Sequence, residues 1–149
     1  MATSDRPSPE ALAAWRALLV AHRHLTDALE EELRAATGLN LARYDVLLQL
    51  SEAVGGRLRM TDLAAAVLLS KSGLTRLVDR MCAEGRVDRS RDEADRRSLV
   101  VTLTPAGRRA LRRAAPVHLR GIQRHFGAAL TAEQLLELNE VLDRFIRTS

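Results

Sequence analysis

Residues 74–107, LTRLVDRMCAEGRVDRSRDEADRRSLVVTLTPAG, decide the fold because their hydrophobic pattern changes period part-way along. The first residues place apolar side chains three and four positions apart, which is the spacing of one buried helix face. A polar strand over 87–91 and a β-branched strand over 99–103 follow, and the charged tip 92–97 separates them. Thr104-Pro105 then has the residue types of an N-cap and a first helical position. The stretch therefore predicts a helix, a two-stranded hairpin and a second helix.

A helix-turn-helix is predicted immediately before the hairpin. Residues 61–67 and 72–84 have helical patterns, and a turn of four residues joins them. Thr61 is the expected N-cap of the first helix, and Ser70 or Ser72 is the expected N-cap of the second. Together with the hairpin, the two helices predict a winged helix-turn-helix.

In such a unit the second helix lies in the major groove of DNA, with its N-terminal residues against the base edges. Small or hydroxyl-bearing side chains at its start let the backbone approach the bases, and arginine further along binds guanine or phosphate. An ordinary solvated helix face is the alternative interpretation of the same composition. The candidate DNA contacts on this helix are Ser70, Lys71, Ser72, Gly73, Thr75, Arg76 and Arg80.

Four segments of the chain resemble the MarR family of bacterial transcription regulators. These segments are residues 74–81, 84–87, 92–97 and 103–107. Their order and spacing are similar to the recognition helix, wing and following helix of that family, and the resemblance extends over nearly the whole chain. Two positions depart from the family's pattern, because Arg86 stands where Leu is usual and Glu93-Ala94 replaces a common Pro-Glu.

The resemblance implies that Arg97 at the wing tip enters the minor groove and that Asp95 orients it. A narrow minor groove concentrates negative potential and attracts arginine, which agrees with this role. A structural ion pair between Asp95 and Arg97 inside the hairpin is the alternative. The candidate DNA contacts of the wing are Arg91, Asp95, Arg96 and Arg97.

The positive charge of the chain is unevenly distributed. The net charge is +4, yet residues 96–132 contain eight basic residues and no acid. This segment favours a polyanionic partner. The pairs Arg108-Arg109 and Arg112-Arg113 place like charges four residues apart on one helix face, where they repel each other. DNA backbone, an anion-binding cleft or solvent could each surround these four arginines.

Long helices are predicted on both sides of the winged helix, which needs only residues 39–104 of a single 149-residue domain. Residues 8–36 and 105–147 carry apolar stripes that one small core cannot bury, and Thr131 with Gln134 predicts a capping box at the start of the last helix. We expect these helices to dimerise across a two-fold axis, as the resemblance also implies. A homodimer holds its recognition helices about 34 Å apart, so the expected operator is a palindromic inverted repeat in double-stranded DNA. The fold class is mainly α with a small β wing, and residues 57–60 could add one short strand.

The resemblance also implies regulation, most often repression that a small anionic or aromatic effector, an oxidant or a metal relieves. The cleft between the end helices and the DNA-reading lobe is the expected effector pocket. Its candidate residues are Trp15, Arg16, His22 and Tyr44. Packing of Trp15 and His22 in the core or in the dimer interface is the alternative.

Redox and metal sensing depend on few residues. Cys82 is the single cysteine; Arg80 and Arg86 nearby could lower the pKa of its thiol, whereas the alternative is an inert thiol, as a lone cysteine usually is. The four histidines could bind a metal only if they converged with acids, and no Cys or Glu cluster completes such a site. The histidines are His22, His24, His118 and His125.

Other function classes find little support in the sequence. It contains no Gly-rich phosphate loop, HExxH pair or GxSxG elbow, so we expect neither an enzyme nor a cofactor. A protein-only interaction module would not need the Ser/Thr/Arg helix or the wing arginine. The absence of a long apolar run and of a secretory signal predicts a cytoplasmic protein without a membrane partner.

Overall fold

The computed structural model of the chain describes residues 6–68 and 73–147. This part of the chain forms six α-helices, two short 3-10 helices and a three-stranded sheet, so the mainly α fold class with a small β wing is confirmed. The elements in chain order are α1 (Pro9–Thr37), α2 (Leu41–Glu52), a 3-10 helix (Val54–Gly56), β1 (Arg57–Arg59), α3 (Met60–Ala66), α4 (Leu74–Ala83), β2 (Val87–Arg91), β3 (Leu99–Leu103), α5 (Pro105–His125), a second 3-10 helix (Gly127–Ala129) and α6 (Ala132–Ile146).

The chain divides into two units. The first contains residues 30–120, and therefore the end of α1, all elements from α2 to β3 and most of α5. The second contains residues 6–29 and 121–147, which supply the rest of α1, the end of α5 and α6. The first unit contains the elements that the sequence predicts to read DNA and is called the DNA-reading unit below; the second is called the end-helix unit.

The sheet of the DNA-reading unit is antiparallel, with strand order β1-β3-β2. Arg57 of β1 pairs with Thr102, which confirms the short strand expected before α3. The hairpin pairs Val87 with Leu103 at its base and Arg91 with Leu99 near its tip. Central strand β3 is β-branched because it packs against both the core and its two neighbours, whereas edge strand β2 is exposed after its first residue.

The predicted buried face of α4 is confirmed. Its apolar residues recur at three and four positions, all of them are buried, and the intervening residues are exposed. These side chains pack into a core to which α2 and α3 add fully buried leucines, and each such burial contributes about 1.5–3 kcal/mol. The buried residues of α4 are Leu74, Leu77, Val78 and Met81.

Two of the expected N-caps are present. The Thr104 hydroxyl accepts a hydrogen bond of 3.0 Å from the Gly107 N–H at the start of α5. Thr131 and Gln134 form a complete capping box at the start of α6, where each side chain accepts from the other's backbone N–H. These caps fix where the two C-terminal helices begin.

The N-caps expected for α3 and α4 are wrong. Strand β1 runs directly into α3, so extended Arg59 holds the cap position, without a side-chain bond, and Thr61 lies inside the first turn. The cap position of α4 is Gly73, whose φ of +73° suits glycine. Ser70, Lys71 and Ser72 lie outside the described residues.

The helices of the end-helix unit leave apolar side chains exposed in the single chain. Trp15 is 57% exposed on α1 and Phe145 is 70% exposed on α6, although both lie on the apolar stripes that the sequence predicts. Leu12, Leu19 and Leu136 are also exposed. The stripes therefore exist, and one chain does not cover them.

A close junction joins the end of α4 to the start of α5. The Thr104 hydroxyl donates to the Gly85 carbonyl at 2.7 Å, and the Thr104 N–H donates to the Arg86 carbonyl at 3.2 Å. A Cβ at Gly107 would overlap the same Arg86 carbonyl oxygen and lie 2.8 Å from Leu103 Cδ1. Only glycine permits this approach, because backbone atoms cannot move aside as a flexible side chain can.

We expect Gly107→Ala to lower the free energy of unfolding by about 1–3 kcal/mol, because the added methyl overpacks the junction. Chemical denaturation measures this change. Gly38→Ala is the control, since Gly38 has a positive φ, unlike Gly107, and has nothing within 4 Å of its missing Cβ, so this variant reports backbone strain without overpacking. A loss at Gly107 no larger than the loss at Gly38 would contradict the close-packed junction.

Candidate nucleic-acid interface

Helix α4 presents a polar face opposite its buried one. Thr75, Arg76, Asp79 and Arg80 are all exposed, as the sequence predicts for a recognition helix. Among the residues that the structure describes, Arg76 and Arg80 have no ion pair, whereas Asp79 pairs with Arg89 of β2. Arg76 and Arg80 therefore keep an uncompensated positive charge on a helix whose other face is fixed in the core.

Two side chains of α2 position α4 and the turn before it. Asp45 is 95% buried, and its Oδ2 accepts a 2.7 Å hydrogen bond from the N–H of Leu68, just before the turn. At the other end, Arg43 Nη2 donates to Glu84 Oε1 at 2.9 Å beside the C-cap of α4. Sequence reasoning missed both residues. The signal for Asp45 was a lone carboxylate within the apolar run from Tyr44 to Leu47.

The wing tip is built by local hydrogen bonds. Asp92 N–H donates to the Ser98 carbonyl at 2.9 Å, and Ser98 N–H donates to the Asp95 carbonyl at 2.9 Å. The Arg91 guanidinium donates to the carbonyl of Arg96 at 2.8 Å, so Arg91 supports the hairpin from within. Arg59 Nε donates to Asp92 Oδ2 at 2.7 Å, which connects β1 to the base of the tip.

Asp95 orders the backbone of the tip instead of pairing with a guanidinium. Its Oδ1 accepts from the backbone N–H of Arg97 at 3.1 Å, and its Oδ2 accepts from the Ser98 hydroxyl at 2.8 Å. The hydroxyl bond, and then the backbone bond, lower the pKa of the Asp95 carboxyl. No ion pair between the Asp95 and Arg97 side chains is present in the described wing, so the alternative of a structural ion pair is wrong. Arg97 stays exposed.

A concave pocket with a volume of about 610 Å³ lies between α3 and the first turn of α4. Its lining combines small and apolar residues of α3 with the exposed polar start of α4. The pocket therefore continues the face of α4 that carries Arg76. Its lining residues are Met60, Thr61, Ala64, Gly73, Leu74, Thr75 and Arg76.

The environment of Cys82 differs from the expected one. Partial burial is the largest influence and raises the pKa of the thiol, and Asp79 and Asp88 raise it further. Arg89 is the cation that opposes this shift, so the possible lowering of the thiol pKa by Arg80 and Arg86 is wrong and the alternative of an inert thiol is favoured. Because the thiolate is the reactive form, this environment disfavours a redox role.

Tyr44 and His118 form an aromatic pair inside the DNA-reading unit. Their ring centroids are 4.5 Å apart, and Tyr44 is buried. Burial lowers the pKa of the His118 imidazole, and the negative charge of Asp45 partly offsets this shift. Burial raises the pKa of the Tyr44 hydroxyl, and the charge of Glu52 raises it further. His118 Nδ1 is buried without a hydrogen-bond partner among the described atoms.

The remaining effector candidates lie in the other unit. Trp15, Arg16 and His22 are exposed on α1 in the single chain. The effector pocket that the sequence suggests for them and Tyr44 stays a prediction.

The described residues contain neither a metal-binding cluster nor a membrane-spanning helix. No group of three or more His, Cys, Asp or Glu side chains in residues 6–68 and 73–147 is placed to hold a metal ion. No described helix is both long and apolar enough to span a lipid bilayer.

Comparison with known proteins identifies the family. A sequence profile of the MarR family matches residues 37–98, from the end of α1 to the wing. The whole fold is similar to the crystal structure of AbsC, a MarR family transcriptional regulator from Streptomyces coelicolor. The two chains are 37% identical, 97% of each is covered, and the TM-score is 0.87. The chain belongs to the MarR family.

Other relatives agree with this assignment. Sco3205, a MarR family transcriptional regulator from S. coelicolor solved in complex with DNA, is 31% identical over 97% of this chain and 92% of its own, with a TM-score of 0.88. Transcriptional activatory protein BadR from Rhodopseudomonas palustris is 39% identical over 88 residues, 58% of this chain and 47% of BadR. The match thus spans about half the length of that curated relative. The family and these relatives are transcriptional regulators, not enzymes, as the sequence predicts.

We expect Asp45→Ala to lower the free energy of unfolding by about 1–3 kcal/mol, because the Leu68 N–H loses a charged acceptor. The amide of Leu68 should also exchange faster with solvent deuterium, and this readout is specific to the turn. Gln49→Ala is the control, since it removes only the longer 3.3 Å bond to the same carboxylate. Unchanged exchange at Leu68 in Asp45→Ala would contradict the anchoring role.

Proposed function

We propose that this MarR-family protein is a homodimeric transcriptional regulator that binds double-stranded DNA in a sequence-specific manner. The observation that carries the proposal is the pair of exposed arginines, Arg76 and Arg80, which have no ion pair in the described part of the chain and lie on a helix whose opposite face is buried. Function explains this placement better than stability does, because nearby acids neutralise other arginines of the same unit, such as Arg89 and Arg59.

Helix α4 is the proposed major-groove element. Its 10 residues make a rod about 15 Å long, and a helix fits the major groove, which is about 12 Å wide. Thr75 and Arg76 in its first turn are the proposed base-reading residues, and Arg80 one turn later is the proposed phosphate contact. Ser70, Lys71 and Ser72 complete the proposed contact set at the turn before the helix.

The wing is the proposed minor-groove element. Arg97 is the residue proposed to enter the groove, with Arg96 beside it on the phosphates. The hydrogen bonds of Asp95 support this role, because they order the backbone of Arg97 while its guanidinium remains available. Arg91 contributes indirectly, by holding the carbonyl of Arg96. That the relative Sco3205 was solved in complex with DNA also supports the proposal.

The proposed homodimer would form through the end helices. The exposed apolar residues of α1 and α6 are too many for an isolated chain in water, and a two-fold partner would bury them. The operator in this proposal is an inverted repeat, because a two-fold axis presents the same recognition helix to each half-site.

Repression is the proposed sense of regulation, since a dimer that covers two successive major grooves excludes other proteins from that DNA. The name of BadR indicates activation in a relative, so the position of the operator is proposed to set the sign. A small anionic or aromatic effector would act by binding one spacing of the two DNA-reading units better than another. Its proposed contacts are Trp15, Arg16, His22 and Tyr44.

The DNA contacts are tested with duplexes selected from genomic fragments by the full-length protein. Measured by fluorescence anisotropy, Arg76→Ala should raise the Kd for the selected duplex about 10- to 100-fold and relax the sequence preference. Arg97→Ala should weaken binding and reduce its salt dependence. Arg57→Ala is the control, because Arg57 is exposed at the far end of the sheet from the wing tip. Wild-type binding by both site variants would refute the assignment.

The inverted repeat is tested with the same selected duplex. Inserting about five base pairs between its half-sites should reduce affinity strongly, because half a turn of DNA rotates one half-site away from its recognition helix. Inserting about ten should restore part of the affinity. Equal affinity at all spacings, together with one protomer per duplex in sedimentation experiments, would show that a monomer reads a single half-site.

A further inference from the structure

Helix α5 carries a cationic face that the DNA contacts do not use. Arg108, Arg109, Arg112 and Arg113 are all exposed, and none has an ion pair among the described residues. By helical spacing, exposed Leu119 lies on the same side of α5 as these four residues, which we call the arginine face.

The arginine face contradicts the usual charge order of a helix. A helix N-terminus favours acids and disfavours cations; α1, α3 and α6 each have an acid in the first turn, whereas α2 and α4 have none but carry no arginine cluster like that of α5. Helix α5 has none there, and its arginines crowd the N-terminal half. Repulsion between them at i, i+4 adds to the cost. An anionic partner that covers the face would remove both penalties.

The DNA that binds α4 and the wing is poorly placed to be this partner. Helix α5 starts beside Gly85 and Arg86, at the C-terminal end of α4, and at the end of β3 remote from the wing tip. Five residues of strand span about 17 Å, so the arginine face and the wing tip lie at opposite ends of the sheet.

Helix α6 carries a complementary face. Glu133, Glu137 and Glu140 recur at i, i+4 and i+7, all three are exposed, and none has an ion pair in residues 6–68 and 73–147. Exposed Leu136 lies beside them, and Arg144 ends the row. The row is about 10 Å long, close to the length of about 8 Å from Arg108 to Arg113.

We propose that the arginine face of α5 in one protomer binds the glutamate row of α6 in a second copy of the chain. This inference rests on the proposed homodimer and specifies what aligns it. Exposed apolar stripes bring the helices together without fixing their register, whereas charges of opposite sign at matched spacing favour one register and exclude others.

The test measures the dimer dissociation constant by sedimentation at about 0.05 M and about 0.5 M NaCl. Arg112→Glu and Glu137→Arg should each raise the constant about tenfold at low salt, because two-fold symmetry repeats every change, and high salt should reduce the difference. The double variant should dimerise within about threefold of wild type, since it restores opposite charges. Glu93→Arg, at the exposed wing tip, is the charge-matched control.

Distinct results separate this inference from the proposed dimer. A monomeric wild type would overturn the homodimer itself. A dimeric wild type whose constant is unchanged by both single reversals would overturn only the α5–α6 pairing. Single reversals that weaken the dimer without rescue in the double variant would show that the two rows face different partners. Weaker DNA binding by Arg112→Glu with unchanged dimerisation would assign the arginine face to phosphate.

Discussion

The junction between α4 and α5 is the constraint on which the rest of the DNA-reading unit depends. Thr104 caps α5 and also bonds the carbonyl of Gly85, so one hydroxyl connects the end of α4 to the start of α5. The missing side chain of Gly107 lets the helix begin directly against the Arg86 carbonyl. Since β2 and β3 enter the same junction from the wing, the position of α4 and the wing cannot change independently of α5.

The ion pairs of the DNA-reading unit stabilise it less than its apolar core does. This difference explains why some of its arginines can remain without an acidic partner. An exposed pair such as Asp79–Arg89 contributes about 0–1 kcal/mol, whereas each buried leucine or valine contributes about 1.5–3 kcal/mol. Apolar packing therefore holds α4 in place, and its outer charges are free to serve another purpose. Pairing makes Arg59 and Arg89 less available to an external anion, whereas Arg76, Arg80 and Arg97 are among the arginines with no ion pair in residues 6–68 and 73–147.

The sequence predicts the elements whose determinants are local. The period of α4, the β-branched strand β3 and the caps at Thr104 and Thr131 depend on residues within a few positions, and all four predictions are confirmed. Thr61 does not cap α3 because β1 pairs with a strand 41–45 residues further along the chain and continues directly into α3. A local rule cannot include that pairing.

Sequence reasoning fails in the same way at the candidate site. The alternative ion pair between Asp95 and Arg97 does not form, because the tight turn brings backbone N–H and hydroxyl groups closer to the Asp95 carboxylate. The pKa of the Cys82 thiol depends on burial and on Arg89 of β2, not on Arg80 and Arg86, which are closer in sequence. Asp45 acts on Leu68, 23 residues further along, so its importance appears only in three dimensions.

The uncovered apolar stripes give the proposed dimer its energetic basis. Association costs about 4–15 kcal/mol in lost translational and rotational freedom. Trp15, Leu12, Leu19 and Phe145 are about half exposed or more, and burying the exposed part of such side chains recovers on the order of 1 kcal/mol each. Two-fold symmetry doubles the free energy gained by burying these side chains, and the doubled value falls within the range of the association cost. The apolar stripes would therefore supply the affinity of the dimer, and charge would decide its alignment, so an effector that shifts the alignment need not compete with most of the binding energy.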